Sequence, residues 1–270
     1  MRLRIILVAE VIALAAAGVT AAMVAAASRP SLALLVVCLG EWFFIQAALI
    51  AGVFDWRSPI FGRILWRGPR SLRAIALTFD DGPNEPYTTR VLEILESFGV
   101  KASFFMIGEN VERFPEAARR VAREGHEIAN HGYDHRVLPL RGPGHIRGQI
   151  ARTSEAIERS TGSRPAYFRA PHGWRNPWLG RAARQAGCLP VSWTLGVWDT
   201  SRPGAGAITE RTLHGLSNGC VVLLHDGRGT EHGTDSSQLV EALPFIIRGA
   251  REAGYRFLSI SEMVEEARRR

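Results

Sequence analysis

The chain has 270 residues, enough for one large domain or for a smaller domain with an appendage. Its formal net charge of +7 is carried by arginine, with Lys101 the only lysine, and no RNA-binding or helix-turn-helix signature accompanies it, which argues against nucleic acid as a partner. The three cysteines, Cys38, Cys188 and Cys220, form no CxxC pair, so neither a cysteine zinc site nor a disulfide framework is indicated.

Two apolar stretches open the chain, at residues 5–27 and 32–53, each long enough to cross a bilayer as a helix. Arg29-Pro30 between them reads as a tight turn. The first is alanine-rich and carries Glu10, and the second carries Glu41 near its centre, where a charge costs about 2.5–3.5 kcal/mol. Arg2, Arg4 and the Ala25-Ala26-Ala27 run also fit a signal peptide, but the apolar run is long for one, and an uncleaved span is favoured. Residues 1–54 are expected to form a two-helix membrane anchor, with membrane lipid as a partner.

Trp56, Trp66, Arg57, Arg63, Arg67, Arg70 and Arg73 mark 55–73 as a basic interfacial linker. Positive flanks prefer the cytoplasmic side, so two spans would leave the following domain in the cytoplasm. Export requires that only one stretch act as an uncleaved span, or that the second fail to stop transfer, and both orientations stay open.

Residues 74–270 read as an α/β domain. Strand-like runs occur at 74–79, 101–107, 166–169, 191–195, 220–224 and 255–260, and helical patterns at 88–98, 111–124, 146–160 and 177–186. This alternation predicts a mostly parallel sheet, closed or nearly closed into a barrel.

Four motifs carry chemistry. Asp80-Asp81 follows the first strand, where barrel enzymes keep catalytic groups, and two adjacent carboxylates are costly to bury unless a metal neutralises one and leaves the other as a base. His131 and His135, four residues apart, can face the same side of a helix or tight turn and ligate one metal ion. Arg169 precedes Ala170-Pro171-His172-Gly173 and can grip a carboxylate with two hydrogen bonds. His225 ends the run Val222-Leu223-Leu224 and titrates near neutrality. Together these form a metallohydrolase constellation in which Asp81, His131 and His135 leave open positions for water and substrate.

With these motifs in this order, residues 74–260 resemble the polysaccharide deacetylase family, the carbohydrate esterases with a NodB homology domain. The resemblance implies a distorted (β/α) barrel and one divalent metal ion, usually zinc, held by Asp81, His131 and His135. It also implies Asp80 as catalytic base, Arg169 as its tether, His225 as catalytic acid, and Leu223, Pro171 and Trp198 in the substrate groove. The family's Asp-x-x-Asp-Trp motif is altered here to Gly196-Val197-Trp198-Asp199-Thr200, which keeps Asp199, the partner of the acid, and changes the groove wall. Gly132 stands where Ser or Thr is frequent. The expected activity is removal of N-acetyl groups from amino sugars, with peptidoglycan, chitin-like oligomers, exopolysaccharide and lipid-linked amino sugars all open as substrates. The alternatives are an O-acetyl esterase on acetylated polysaccharide and an inactive sugar-binding module.

Overall fold

The computed structural model describes residues 32–231 and 233–269, together with Gly18. The apolar stretch at 5–27 and the Arg29-Pro30 turn lie outside the described residues. The second stretch forms helix α1, Leu32–Phe54. Within it, Val36–Phe54 is the one segment among the described residues long and apolar enough to cross a membrane, by length and composition only. Val36, Phe43, Phe44 and Ile50 are exposed among the described residues.

Beyond residue 73, strands and helices alternate: β1 (Ala74–Asp80), α2 (Tyr87–Ser97), β2 (Ser103–Met106), α3 (Gly108–Arg113), α4 (Pro115–Arg123), β3 (Glu127–Asn130), α5 (Pro143–Thr161), β4 (Tyr167–Phe168), α6 (Leu179–Gln185), β5 (Leu189–Pro190), β6 (Leu195–Gly196), α7 (Ala205–Gly215), β7 (Cys220–His225), α8 (Ser237–Glu252), β8 (Arg256–Phe257) and α9 (Ile260–Arg268). The strands run parallel in the order β5-β4-β3-β2-β1-β7-β6, with β8 beside β1.

β1 sits at the centre and every residue of it is buried, as a parallel strand covered on both faces requires. On one face Ile75, Leu77, Phe79, Val222 and Leu224 pack with Leu92 and Leu95 of α2 and Leu243, Ile246 and Ile247 of α8. On the other, Ala74, Ala76, Phe105, Val221 and Leu223 line the inside of the curl with Trp193, Ile260 and Met263.

The expectation of a closed or nearly closed barrel is corrected to a curled, open sheet: β5 and β6 are its two edges and do not pair. Pro190 ends β5 without an N–H to donate, and both edge strands are two residues long. The main chain of Leu65, Trp66 and Arg67 runs across this opening. Leu65 N–H donates to Pro190 O (3.1 Å), Ser192 N–H to Leu65 O (2.7 Å), and Thr194 Oγ1 to Trp66 O (2.6 Å). Arg67 bridges Cys220 of β7 in antiparallel fashion. Upstream, Trp56 stacks on Trp193 at 5.1 Å and donates its indole N–H to Trp193 O at 3.0 Å. Residues 55–73 therefore pack on the domain along much of their length. Arg67 reaches Ser217 and Asn218, whereas Arg57, Arg63 and Arg70 are exposed.

The helix expected at 111–124 is two helices, because Pro115 pushes Phe114 out of the helical region, to φ −119 and ψ 59. β3, β5, α7, α8 and α9 carry no counterpart among the expected elements, and the strand expected at 191–195 is realised only at Leu195, in β6. His131 and His135 lie on neither a helix nor a tight turn of one, but on the loop that leaves β3.

Candidate active site

The motif residues converge at the carboxyl ends of the strands. Asp80 ends β1, His225 ends β7, and the two are register partners across that strand pair. His131 directly follows β3, and Arg169 directly follows β4.

A regular strand would send Asp80 and Asp81 to opposite faces. Asp81 instead adopts a left-handed φ of 73°, which Asp tolerates better than most residues, and this breaks the alternation. Both carboxylates then reach one imidazole: His131 Nε2 lies 3.6 Å from Asp80 Oδ2 and 3.3 Å from Asp81 Oδ1. His135 Nε2 approaches Asp81 Oδ1 at 3.0 Å. Gly132 between the histidines has φ +80°, a conformation that glycine adopts without the strain a Ser or Thr would carry.

Asp81, His131 and His135 offer one ligand atom each, all within 4.8 Å of one another, and they could hold a metal ion. The donor set passes a test of fit. Asp81 Oδ1 is buried and has no hydrogen-bond partner, while Oδ2 accepts the Gly229 N–H at 2.9 Å. A buried carboxylate oxygen left without a partner is costly, and a cation removes that cost. His131 Nδ1 lies 3.0 Å from Arg169 O, which fixes the ring and turns Nε2 toward the cluster. Burial alone would push the Asp81 carboxyl up, but His135 and His131 hold it well below the usual carboxylate range, so it stays ionised as a ligand must.

Asp80 is held from behind. The fully buried Arg169 donates from Nη1 to Asp80 Oδ1 (2.5 Å) and Thr78 Oγ1 (2.9 Å), and from Nη2 to Ser192 O (2.9 Å). Its guanidinium lies over the Phe105 ring at 3.9 Å. Across the site, Asp199 follows Trp198, itself in a left-handed conformation. Its two oxygens accept the His225 backbone N–H (2.7 Å) and face His225 Nδ1 (2.9 Å). Burial would lower the His225 pKa, but the Asp199 carboxylate overrides it and the value rises to about 10. Leu223 and Pro171 are buried at the inner wall, and Trp198 is 70% exposed at the rim.

Several supporting groups have no role assigned from the sequence. Asn110 on α3 donates to Asp81 O (2.8 Å) and Gly229 O (3.0 Å), tying the ligand loop to the loop after β7. Thr78 relays between Arg169 and Val222 O. His172, at φ 61°, places its ring 4.5 Å from that of His135. Asp226, next to His225, is buried with Thr88 Oγ1 at 2.5 Å, and burial pushes its carboxyl up to about 7.

A family profile described as polysaccharide deacetylase matches residues 67–191. A peptidoglycan-N-acetylglucosamine deacetylase of Bacillus cereus is 36% identical over 205 residues, spanning 75% of this chain and 93% of that protein. The chain belongs to the polysaccharide deacetylase family. A chitooligosaccharide deacetylase of a Bradyrhizobium strain is 37% identical over 191 residues, covering 68% of this chain and 87% of that one. Among solved structures, a family pseudoenzyme from Bacillus anthracis superposes with a TM-score of 0.70 at 27% identity, covering 77% of this chain and 69% of that one. A mutant of that pseudoenzyme has restored enzymatic activity. Family membership alone therefore does not decide turnover. In this chain the carboxylate pair, the two histidines, the buried arginine and the His225–Asp199 pair are all in place.

Proposed function

We propose that this chain is a membrane-anchored, metal-dependent N-deacetylase that removes acetyl groups from the amino sugars of a glycan. The observation that carries the reading is Asp81 Oδ1, buried without a hydrogen-bond partner between two histidines, with a second carboxylate beside it and an opposed His–Asp pair. The uncovered apolar face of α1 supports the anchor.

Asp81, His131 and His135 would hold one divalent ion, and two imidazoles with one carboxylate suit zinc. When bound there, the ion supplies Lewis acidity that polarises the acetamide carbonyl and lowers the pKa of water. Asp80, oriented by Arg169, takes the proton from the water that attacks the carbonyl carbon. His225, kept protonated by Asp199, gives its proton to the amide nitrogen as the C–N bond breaks. The products are acetate and a free amino sugar. Arg169 and Asp199 are positioning residues. Leu223 and Pro171 bound the space for the acetyl methyl, and Trp198 offers a ring to the sugar.

The test is assay of the purified, metal-analysed protein against N-acetylated glycans, reading acetate and new primary amine together. Equal release of both is expected. Acetate without amine, from O-acetylated substrates only, would make it an esterase. Binding without acetate release would make it a sugar-binding module.

A further inference from the structure

α1 does not end at a loose hinge. Its last residues dock on the loop that carries the Arg169 motif. The Arg175 N–H donates to Val53 O at 3.1 Å, its guanidinium to Asp55 O at 3.1 Å and to Ser58 O, and the Phe54 ring meets the Trp174 ring edge-on at 5.4 Å. Trp174 in turn lies 5.5 Å from the His172 ring, and His172 lies 4.5 Å from His135. Three successive ring contacts thus connect the end of the apolar helix to a ligand of the metal cluster.

The surface around that end of α1 is itself apolar. Phe54, Ile60, Leu140 and Trp178 are exposed large hydrophobics. Two sets of contacts hold their segments beside the helix end. Gly52 lies so close to Ile60 and Phe61 that a Cβ there would sit 3.1 Å and 2.8 Å from their side chains. Asn176 binds Arg141 O at 2.9 Å and accepts the Trp178 N–H at 3.1 Å. Arg57, Arg63 and Arg141 are exposed on the same segments. Large apolar side chains, a tryptophan and arginines beside an apolar helix end match the polar–apolar boundary of a bilayer. That boundary is about 5–8 Å deep on each face. The occupant of this surface follows from continuity: it extends the exposed apolar face of α1, and a bilayer surface is what both would meet.

We infer that the site acts on N-acetylated amino sugars carried on a membrane lipid, presented at the bilayer surface beside α1, rather than on polymer at a distance. The inference rests on the N-deacetylase reading above. The rim residue His172 is shared between the metal cluster and the membrane-facing loop, so a headgroup emerging from the bilayer next to Trp174 meets the mouth of the site without lifting its lipid out.

The test uses the full chain in phosphatidylethanolamine–phosphatidylglycerol vesicles, loaded with zinc. One arm offers N-acetylglucosamine on a polyprenyl phosphate in the same vesicles, and the other offers soluble N-acetylglucosamine oligomers. Acetate and amine are read in both. Confinement to one surface raises the effective concentration of the lipid-borne sugar, and a preference of about tenfold or more is expected. A second measurement separates the seat from mere anchoring. Ile60→Asp with Trp178→Asp, both at exposed positions, should abolish most of that preference and leave turnover of the soluble oligomers unchanged. Equal or faster turnover of soluble oligomers by the unaltered chain would overturn the inference and leave the N-deacetylase reading standing. So would full retention of the preference by the double variant. Absence of turnover in both arms would overturn both.

Discussion

Asp199 holds His225 at two points, accepting its backbone N–H at 2.7 Å and facing its Nδ1 at 2.9 Å, and this carboxylate raises the His225 pKa to about 10. A general acid works only while protonated, so activity is expected to fall on the alkaline side as His225 loses its proton. Asp199→Asn removes the raising charge and should move the basic limb of the kcat profile toward the ordinary histidine value near about 6.5. The same pair should contribute stability in full below about pH 6.5 and lose it as pH rises through about 10. A basic limb unchanged in Asp199→Asn would show that His225 is not the titrating acid.

His131→Ala should lose both bound metal and activity, because it removes one of three donor atoms that lie within 4.8 Å of one another. Metal content after gel filtration, read by mass spectrometry, checks it. A fully loaded His131→Ala protein would remove this cluster from consideration.

Asp80→Asn separates base from ligand. The variant should keep its metal and lose about 10²–10⁴-fold in kcat, the usual worth of general-base catalysis. Near-native kcat would assign proton removal to another group.

Arg169→Met leaves the buried Asp80 carboxylate without its cation. Breaking a buried pair from one side costs about 3–5 kcal/mol, to be read from urea unfolding of the metal-free protein. Combining it with Asp80→Asn should recover part of that loss, since no charge is then left buried alone. Additive losses would mean that the pair is not coupled.

Trp56→Ala tests whether the segment before the domain contributes to its stability. Losing the stack on Trp193 and the bond to its carbonyl should cost about 1–3 kcal/mol. An unchanged unfolding midpoint would reduce that contact to a surface association.

The chemistry was more legible in the sequence than the scaffold. Asp80, Asp81, His131, His135, Arg169 and His225 stand in short motifs at strand ends, and their residue types are expensive to bury without a purpose. β3 escaped notice because it is four residues long and begins and ends polar, with Glu127 and Asn130. α8 contains Pro244, which reads as a breaker, although its buried Leu239, Leu243, Ile246 and Ile247 keep helical spacing. The Gly229 N–H on Asp81 and the Asn110 amide behind it left no trace, since a backbone donor has no side chain to read and Asn is common on helix surfaces. The opening of the sheet is a tertiary matter: it depends on a strand edge that ends at Pro190 and on chain from residues 65–67 that no local pattern assigns to the sheet.

A flexible linker as long as residues 55–73 would let its domain wander about 24 Å from the point of attachment. The linker here has no such freedom: Trp56, Leu65, Trp66 and Gly68 are each bonded to the domain, and Val53 is bonded to Arg175. In a bilayer the catalytic centre would therefore ride at one fixed height. It would search in two dimensions with the lateral diffusion of its helix, and turnover of a substrate borne on lipid would follow surface density rather than bulk concentration.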